Sequence, residues 1–241
     1  MVNLTYNKNR PLPSAEELPS SDETPVDNQL QNDLPNLLLN LLALIWSGRD
    51  DWYFGVDMAV YYNPDEPAFV PDGFLAVGVN HDTGERGRLS YILWGEKYIL
   101  PILFLEVISE KYNSEYGRRG RFKNRQRLEV YKLISGKYQL LESENNRVWL
   151  PEIGLALGYE KGEHIAWYRE WLYWYDQSGN RYLTAEERAM NAEAIAAQER
   201  LAKQEAEAIA AQERLAKQEA EQKAIRLAER LRALGINPDE V

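Results

Sequence analysis

Asp72 and Glu106 are the two residues of this sequence best placed to do chemistry. Each sits in a run that reads as a buried strand, "FVPDGFLAVGV" at 69–79 and "PILFLEVISEK" at 101–111. Burying an ionised carboxylate costs several kcal/mol unless it is paired or bound to a cation. Two arrangements meet that cost: the acids lie at strand ends facing water, or they face each other across something positive. On neighbouring strands of one sheet they would repel, and a divalent cation between them would hold them. Such a cation keeps several waters, orients a phosphodiester and acidifies a water for attack on phosphorus. A nearby lysine would steady the pentavalent phosphate. Taken by themselves the acids also have a structural reading: an Asp after Pro is a common turn former, and a Glu in "LEV" can pair with an arginine at a strand edge.

Composition narrows the chemistry. The 241 residues include no cysteine and two histidines, His81 and His164. That excludes a disulfide framework and a thiol nucleophile, and weighs against a multi-histidine metal site or a serine–histidine hydrolase. Metal chemistry here must use carboxylate oxygens, which suit magnesium or manganese. The net charge of −10 argues against indiscriminate coating of nucleic acid. One stretch departs from it: "RRGRFKNRQR", with Arg118, Arg119, Arg121, Lys123, Arg125 and Arg127, is basic and holds no acid. Such a strip is either a solvated surface loop or a set of phosphate contacts. No N-terminal run resembles a signal peptide, and "LPNLLLNLLALIW" is too short to span a bilayer. The expectation is a soluble, cytoplasmic protein with no membrane partner.

The elements that must position these acids fall into zones. Residues 1 to about 22 are rich in Pro, Ser and Asn and read as a loose arm. Leucines at helical spacing predict an amphipathic helix over roughly 25–47, with a kink or late start at Pro35. From there to about 185 the pattern is that of a mixed α+β domain, with strands expected near 52–62, 69–78, 101–108, 127–133, 137–142 and 164–175. Ser135-Gly136 reads as one hairpin turn, and "DQSGN" at 176–180 as another that returns through "RYLT". The aromatic stretch ending in "WYREWLYWYD" reads as a strand covering the core, with a base-stacking platform as the functional alternative.

The C-terminal zone, 186–233, differs in kind. "AEAIAAQERLAKQE" occurs at 192–205 and again, letter for letter, at 206–219. Its helix propensity is high, and its apolar stripe (Ile195, Ala202, Ile209 and Ala216 in register, flanked by Leu201 and Leu215) is narrow and alanine-heavy. That suits a weak coiled coil, with self-association through it, or a single helix held by Glu-to-Lys/Arg pairs. Gly235 and the tail 234–241 end it.

"VPDGFLAVGV" followed by "PILFLEVISEKYN" resembles the PD-(D/E)XK nuclease superfamily, and more narrowly the Uma-type restriction endonuclease family of the cyanobacterial kind. The likeness extends through "LPNLLLNLLALIWSGRDDWYFGVDMAVYYNPDEP", "RLSYILWGEK", "LEVYKL", "WLPEIGLALG", "REWLYWYDQSGNRYLTAEE" and "AERLRALGINPDEV". It implies a restriction-endonuclease-like mixed central sheet with a flanking helix. It implies DNA as substrate, a magnesium or manganese cofactor, and phosphodiester hydrolysis by a metal-activated water. Asp72 and Glu106 match the catalytic acids and metal ligands of the family motif, and the Val107 carbonyl would complete the site. Asp57 falls on the preceding strand as an outer partner, and the helix near Asp27 to Gln31 lies where the superfamily offers a further polar ligand.

Two departures bear on activity. Ile108 stands where the wider superfamily has its lysine. A helix and strand expected after "KYNSEY" are not evident, so the chain looks shortened by about twenty residues after Tyr116, on the spacing the resemblance implies. Lys111, Arg118, Arg119 and Lys123 are the basic stand-ins nearby. The alternative function is therefore a catalytically impaired or non-enzymatic remnant of the nuclease fold that binds or self-associates through its sheet or C-terminal helix.

Overall fold

Asn28 and Gln31 start the first helix. The Leu30 amide donates to Asn28 Oδ1 at 2.9 Å, and the Asn28 amide donates to Gln31 Oε1 at 3.1 Å. This reciprocal arrangement satisfies two donors that a helix end leaves bare. Helix α1 (Leu30–Ile45) therefore begins later than the leucine spacing alone suggests, and it carries Pro35 inside it. These coordinates are a computed structural model, which describes residues 11–19, 28–81, 83–107, 128–134 and 137–235.

The chain divides into two units, Met1–Thr184 and Ala185–Val241. The first is mixed α+β and contains several small sheets. Strands β1 (Trp52–Val56), β2 (Val60–Tyr61), β3 (Gly73–Val77), β4 (Tyr91–Ile92) and β5 (Leu103–Leu105) come first. They are followed by β6 (Tyr131–Ile134), β7 (Lys137–Leu140), β8 (Arg147–Leu150), β9 (Leu155–His164) and β10 (Trp167–Tyr175). Strands β1, β3 and β5 form an antiparallel sheet with β3 central, and β8, β9 and β10 form a second with β9 central. The β2–β4 pair is parallel, and β6 pairs with β7.

One apolar core joins both three-stranded sheets to α1. Leu34, Leu37, Leu38, Leu41 and Leu42 of the helix pack with Trp52, Phe54, Leu75, Leu103 and Leu105 on one side and with Leu155, Leu157 and Trp174 on the other. The Trp174 indole N–H donates to the Leu38 carbonyl at 3.0 Å, a buried tie across 136 residues of sequence. The opposite face of β3 builds a second cluster from Phe74, Ala76, Tyr91 and Val60. Gly55 on β1 is required there, because a Cβ would fall 2.2 Å from the Phe74 ring. Part of the segment read as a loose arm runs along the body: Trp94 Nε1 donates to the Pro13 carbonyl at 2.8 Å, and the Tyr61 hydroxyl donates to that of Pro19 at 2.7 Å.

Three sequence expectations change in detail. The strand read over 52–62 is broken at Asp57, whose φ of 47° leaves the extended region, so β1 and β2 belong to different sheets. "DQSGN" does turn the chain, but the return is a single bridge between Tyr175 and Arg181 rather than a strand. The strand read near 164–175 is β10, and the aromatic stretch as a whole is most of a long hairpin, β9–β10, turning at Ile165 and Ala166 with φ of 47° and 57°. No Gly, Asn or Asp marks that turn, so nothing in the sequence announces it. A β-branched residue in the left-handed region is strained. Replacing Ile165–Ala166 by Asn-Gly is expected to raise the midpoint of thermal unfolding, by roughly 1 kcal/mol in stability. A lower midpoint would show that the tip is relaxed as it stands.

Buried tyrosines set the alkaline limit of the first unit. Burial, helped by the neighbouring Glu160 carboxylate, pushes the Tyr175 phenol up to about 12, and burial raises Tyr91 as well. Both are held neutral in the fold, so their contribution is intact below the ordinary value of 10 and drains away as pH rises from 10 towards about 12. Tyrosinate absorbance and circular dichroism are expected to change together over that window. Ionisation of every tyrosine, the buried ones included, with ellipticity unchanged would contradict the burial argument.

The second unit is helix α2 (Ala185–Ala233), 49 residues with no buried side chain. At 1.5 Å per residue it is about 74 Å long. Ile195, Leu201, Ile209 and Leu215 are all more than half exposed. Glu199, Glu213 and Glu219 each precede a lysine by four residues, and Lys203 lies 4.0 Å from Glu207. Among the described residues no helix is long and apolar enough to cross a membrane.

Candidate metal centre

Register brings Asp72 and Glu106 together. Gly73 pairs with Leu105 across β3 and β5, so Asp72, one residue before β3, lies level with Glu106, one residue after β5. On the other side Val56 pairs with Gly73, which sets Asp57 level with Asp72 as well. The three acids thus form one row across the end of the β1–β3–β5 sheet. Hydrogen bonds hold two of the joints: the Asp57 amide donates to the Asp72 backbone carbonyl at 3.2 Å, and the Val107 amide donates to the Asp72 side-chain Oδ2 at 2.5 Å.

Alternation decides which face the row uses. Leu103, Leu105 and Val107 pack into the α1 core, and so do Leu75 and Val77. Gly73 also faces α1, since a Cβ there would meet the Pro35 ring at 3.1 Å. Asp72 and Glu106 therefore belong to the other face, one row beyond the directly paired Phe74 and Phe104. Phe104 stacks edge-on with Phe69 at 5.5 Å, and both rings are about two-fifths exposed. The acids sit against an aromatic floor with one side open, a setting that strengthens any charge interaction made there.

Their burial differs. Asp72 is 8% exposed, Glu106 and Val107 are half-buried, and Asp57 is exposed. One Asp72 oxygen, Oδ2, accepts the Val107 amide. Gln31, buried and one helical turn before Pro35, occupies the helix position at which the sequence suggested a further polar ligand. Its side chain already accepts the Asn28 amide. Asp27 lies outside the described residues, as do Ile108, Lys111, Arg118, Arg119, Arg121, Lys123, Arg125 and Arg127. The basic strip, the lysine stand-ins and the junction at Tyr116 fall in the same stretch.

Among the described residues no group of three Asp, Glu or His side chains stands close enough to cage an ion. At the backbone the register sets Asp72 beside Glu106, while Asp57 leaves the extended region at a φ of 47°. A pair of carboxylates fits a magnesium-like ion, which commonly takes one or two protein oxygens and leaves its remaining positions to water and substrate phosphate. A cavity of about 500 Å³ lies elsewhere, between Ala15–Glu16 and the segment around Arg88, and its walls carry acids and arginines of both signs. Comparisons with protein-family models, with curated proteins and with solved structures return no match.

Proposed function

We propose that the chain is a divalent-metal-dependent DNA endonuclease of the PD-(D/E)XK type, acting in the cytoplasm. The observation that carries this reading is the level placement of Asp72 and Glu106 across adjacent antiparallel strands, joined by the Val107 amide bond. Asp72 and Glu106 would hold the ion through one oxygen each, and the half-buried Val107 supplies its carbonyl nearby. A bound magnesium or manganese supplies charge neutralisation at the phosphate and a water acidic enough to attack it. The chain's own contribution is to fix both carboxylates against the Phe74–Phe104 row and to keep water from that side.

A second reading, a remnant that binds without cutting, is favoured by the short β5: three residues at the edge of a three-stranded sheet are a slender support for a catalytic acid. Incubation of supercoiled plasmid with the full chain and magnesium or manganese separates the two. The nuclease reading expects nicking that chelation stops and that Asp72→Asn and Glu106→Gln both lose. No cleavage in either metal by a folded protein would leave the binding remnant. Traces equal in all three proteins would do the same.

A further inference from the structure

The β9–β10 hairpin carries a second candidate surface, independent of the acids. Pairing of Trp171 with Glu160 and of Tyr173 with Gly158 sets Trp167, Arg169, Trp171, Tyr173 and Tyr175 on one face. The other face holds Leu172 and Trp174 and packs on α1. By alternation the first face is the opposite one, and its Trp171, Tyr173 and Tyr175 are almost wholly buried as part of the same apolar core. Guanidinium groups cover them. Arg147 lies 4.1 Å over the Tyr175 ring, Arg181 lies 4.4 Å over Tyr173, and Arg169 sits 5.2 Å from Trp171 and 5.0 Å from Trp167.

Glycines make the room for this layer. A Cβ on Gly158 would fall 2.7 Å from Arg147 Cγ, and one on Gly179 would fall 2.7 Å from Arg147 Nη1. Arg147 is thus wedged flat between backbone and ring. Arg181 is neutralised by Glu160, 3.3 Å away. Arg169 donates Nε to the Glu170 carbonyl, and among the described residues neither it nor Arg147 has a carboxylate partner. In a chain of net charge −10, two unpaired guanidiniums held on ring faces are anomalous. Stacking leaves the edges of a guanidinium, where its N–H groups point, free to donate.

We propose that this face binds single-stranded nucleic acid, with Arg147 and Arg169 on backbone phosphates and Trp167 stacking a base. Two strand residues advance about 6.7 Å, so Arg169 and Arg147, at the two ends of the row, lie roughly 20 Å apart, as an extended polyanion requires and a lone anion does not. Trp167, at the hairpin end of the row, is 40% exposed and so presents ring surface to an unstacked base.

The test is fluorescence anisotropy of a labelled 20-nucleotide single strand against the full chain, in EDTA so that no cleavage intervenes, over a series of salt concentrations. Log affinity is expected to fall against log salt with a slope near −1.4, about −0.7 for each of two phosphates. Arg147→Gln with Arg169→Gln is expected to weaken binding at least tenfold at low salt and to flatten the slope by more than one unit. Arg169→Gln alone, at the open end of the row, should remove about 0.7 of slope and serves if the double variant folds poorly. Lysine at both positions should keep most of the slope, and Trp167→Ala should weaken binding while leaving the slope unchanged. Absence of binding at the lowest salt overturns the proposal. So does a preference for duplex, or binding that neutral replacements of Arg118, Arg119 and Lys123 abolish while the Arg147 and Arg169 variants bind normally. None of these results depends on whether the Asp72–Glu106 pair holds a metal.

Discussion

Asp72→Asn is expected to fold as the parent does and to lose metal-dependent nicking by about 100-fold or more. The side chain has two separable duties. One oxygen accepts the Val107 amide, which ties β3 to the residue after β5; an asparagine carbonyl accepts the same bond. The other is the proposed metal oxygen, and a neutral amide binds a hard cation far more weakly than a carboxylate. Removing several kcal/mol of transition-state charge stabilisation gives a loss of this size. Asp72→Ala should behave differently, losing nicking and also about 1 kcal/mol of stability, because a half-buried amide is left without an acceptor. Urea denaturation of the three proteins, run beside the plasmid assay, checks both parts. Full activity in Asp72→Asn would remove the residue from the metal site. Equal stability of the Asn and Ala variants would mean that the Val107 bond contributes little.

Trp174→Ala is expected to cost about 3–5 kcal/mol, the largest single loss of stability in the first unit. Trp174 is fully buried between β10 and α1, and its indole N–H crosses to the Leu38 carbonyl. Truncation opens a cavity in the core that joins the two three-stranded sheets. Domains of this size hold about 5–15 kcal/mol in total, so the variant should sit near the edge of unfolding at physiological temperature. Trp174→Phe separates packing from hydrogen bonding. It keeps most of the apolar volume and leaves the Leu38 carbonyl its helical partner, for an expected cost of about 1–2 kcal/mol. A shift in Trp174→Ala as small as that of the phenylalanine variant would show that α1 is not held by this contact.

Much of this molecule is legible in the order of its residues, and the legible parts are those governed by local rules. Leucines at helical spacing give α1, the letter-for-letter repeat gives α2, and two apolar runs give β3 and β5 with an acid at the edge of each. The absence of cysteine and the scarcity of histidine limit metal chemistry to carboxylate oxygens before any fold is considered. Other features depend on pairing at a distance. The row that levels Asp72 with Glu106 exists only because Gly73 meets Leu105, a register set by which side chains each face buries. The turn at Ile165–Ala166 uses a backbone conformation those residue types disfavour, so only tertiary packing could select it, whereas Asp57 is a residue type that tolerates the left-handed region. The arginine layer on β9–β10 is the clearest case. Arg147, Arg169 and Arg181 come from three separate segments, scattered among ordinary charges in the sequence, and line up over buried rings, with Gly158 and Gly179 leaving the space for Arg147. Local propensity fixes what each segment is; which charges face one another is fixed by how the segments close on a shared core.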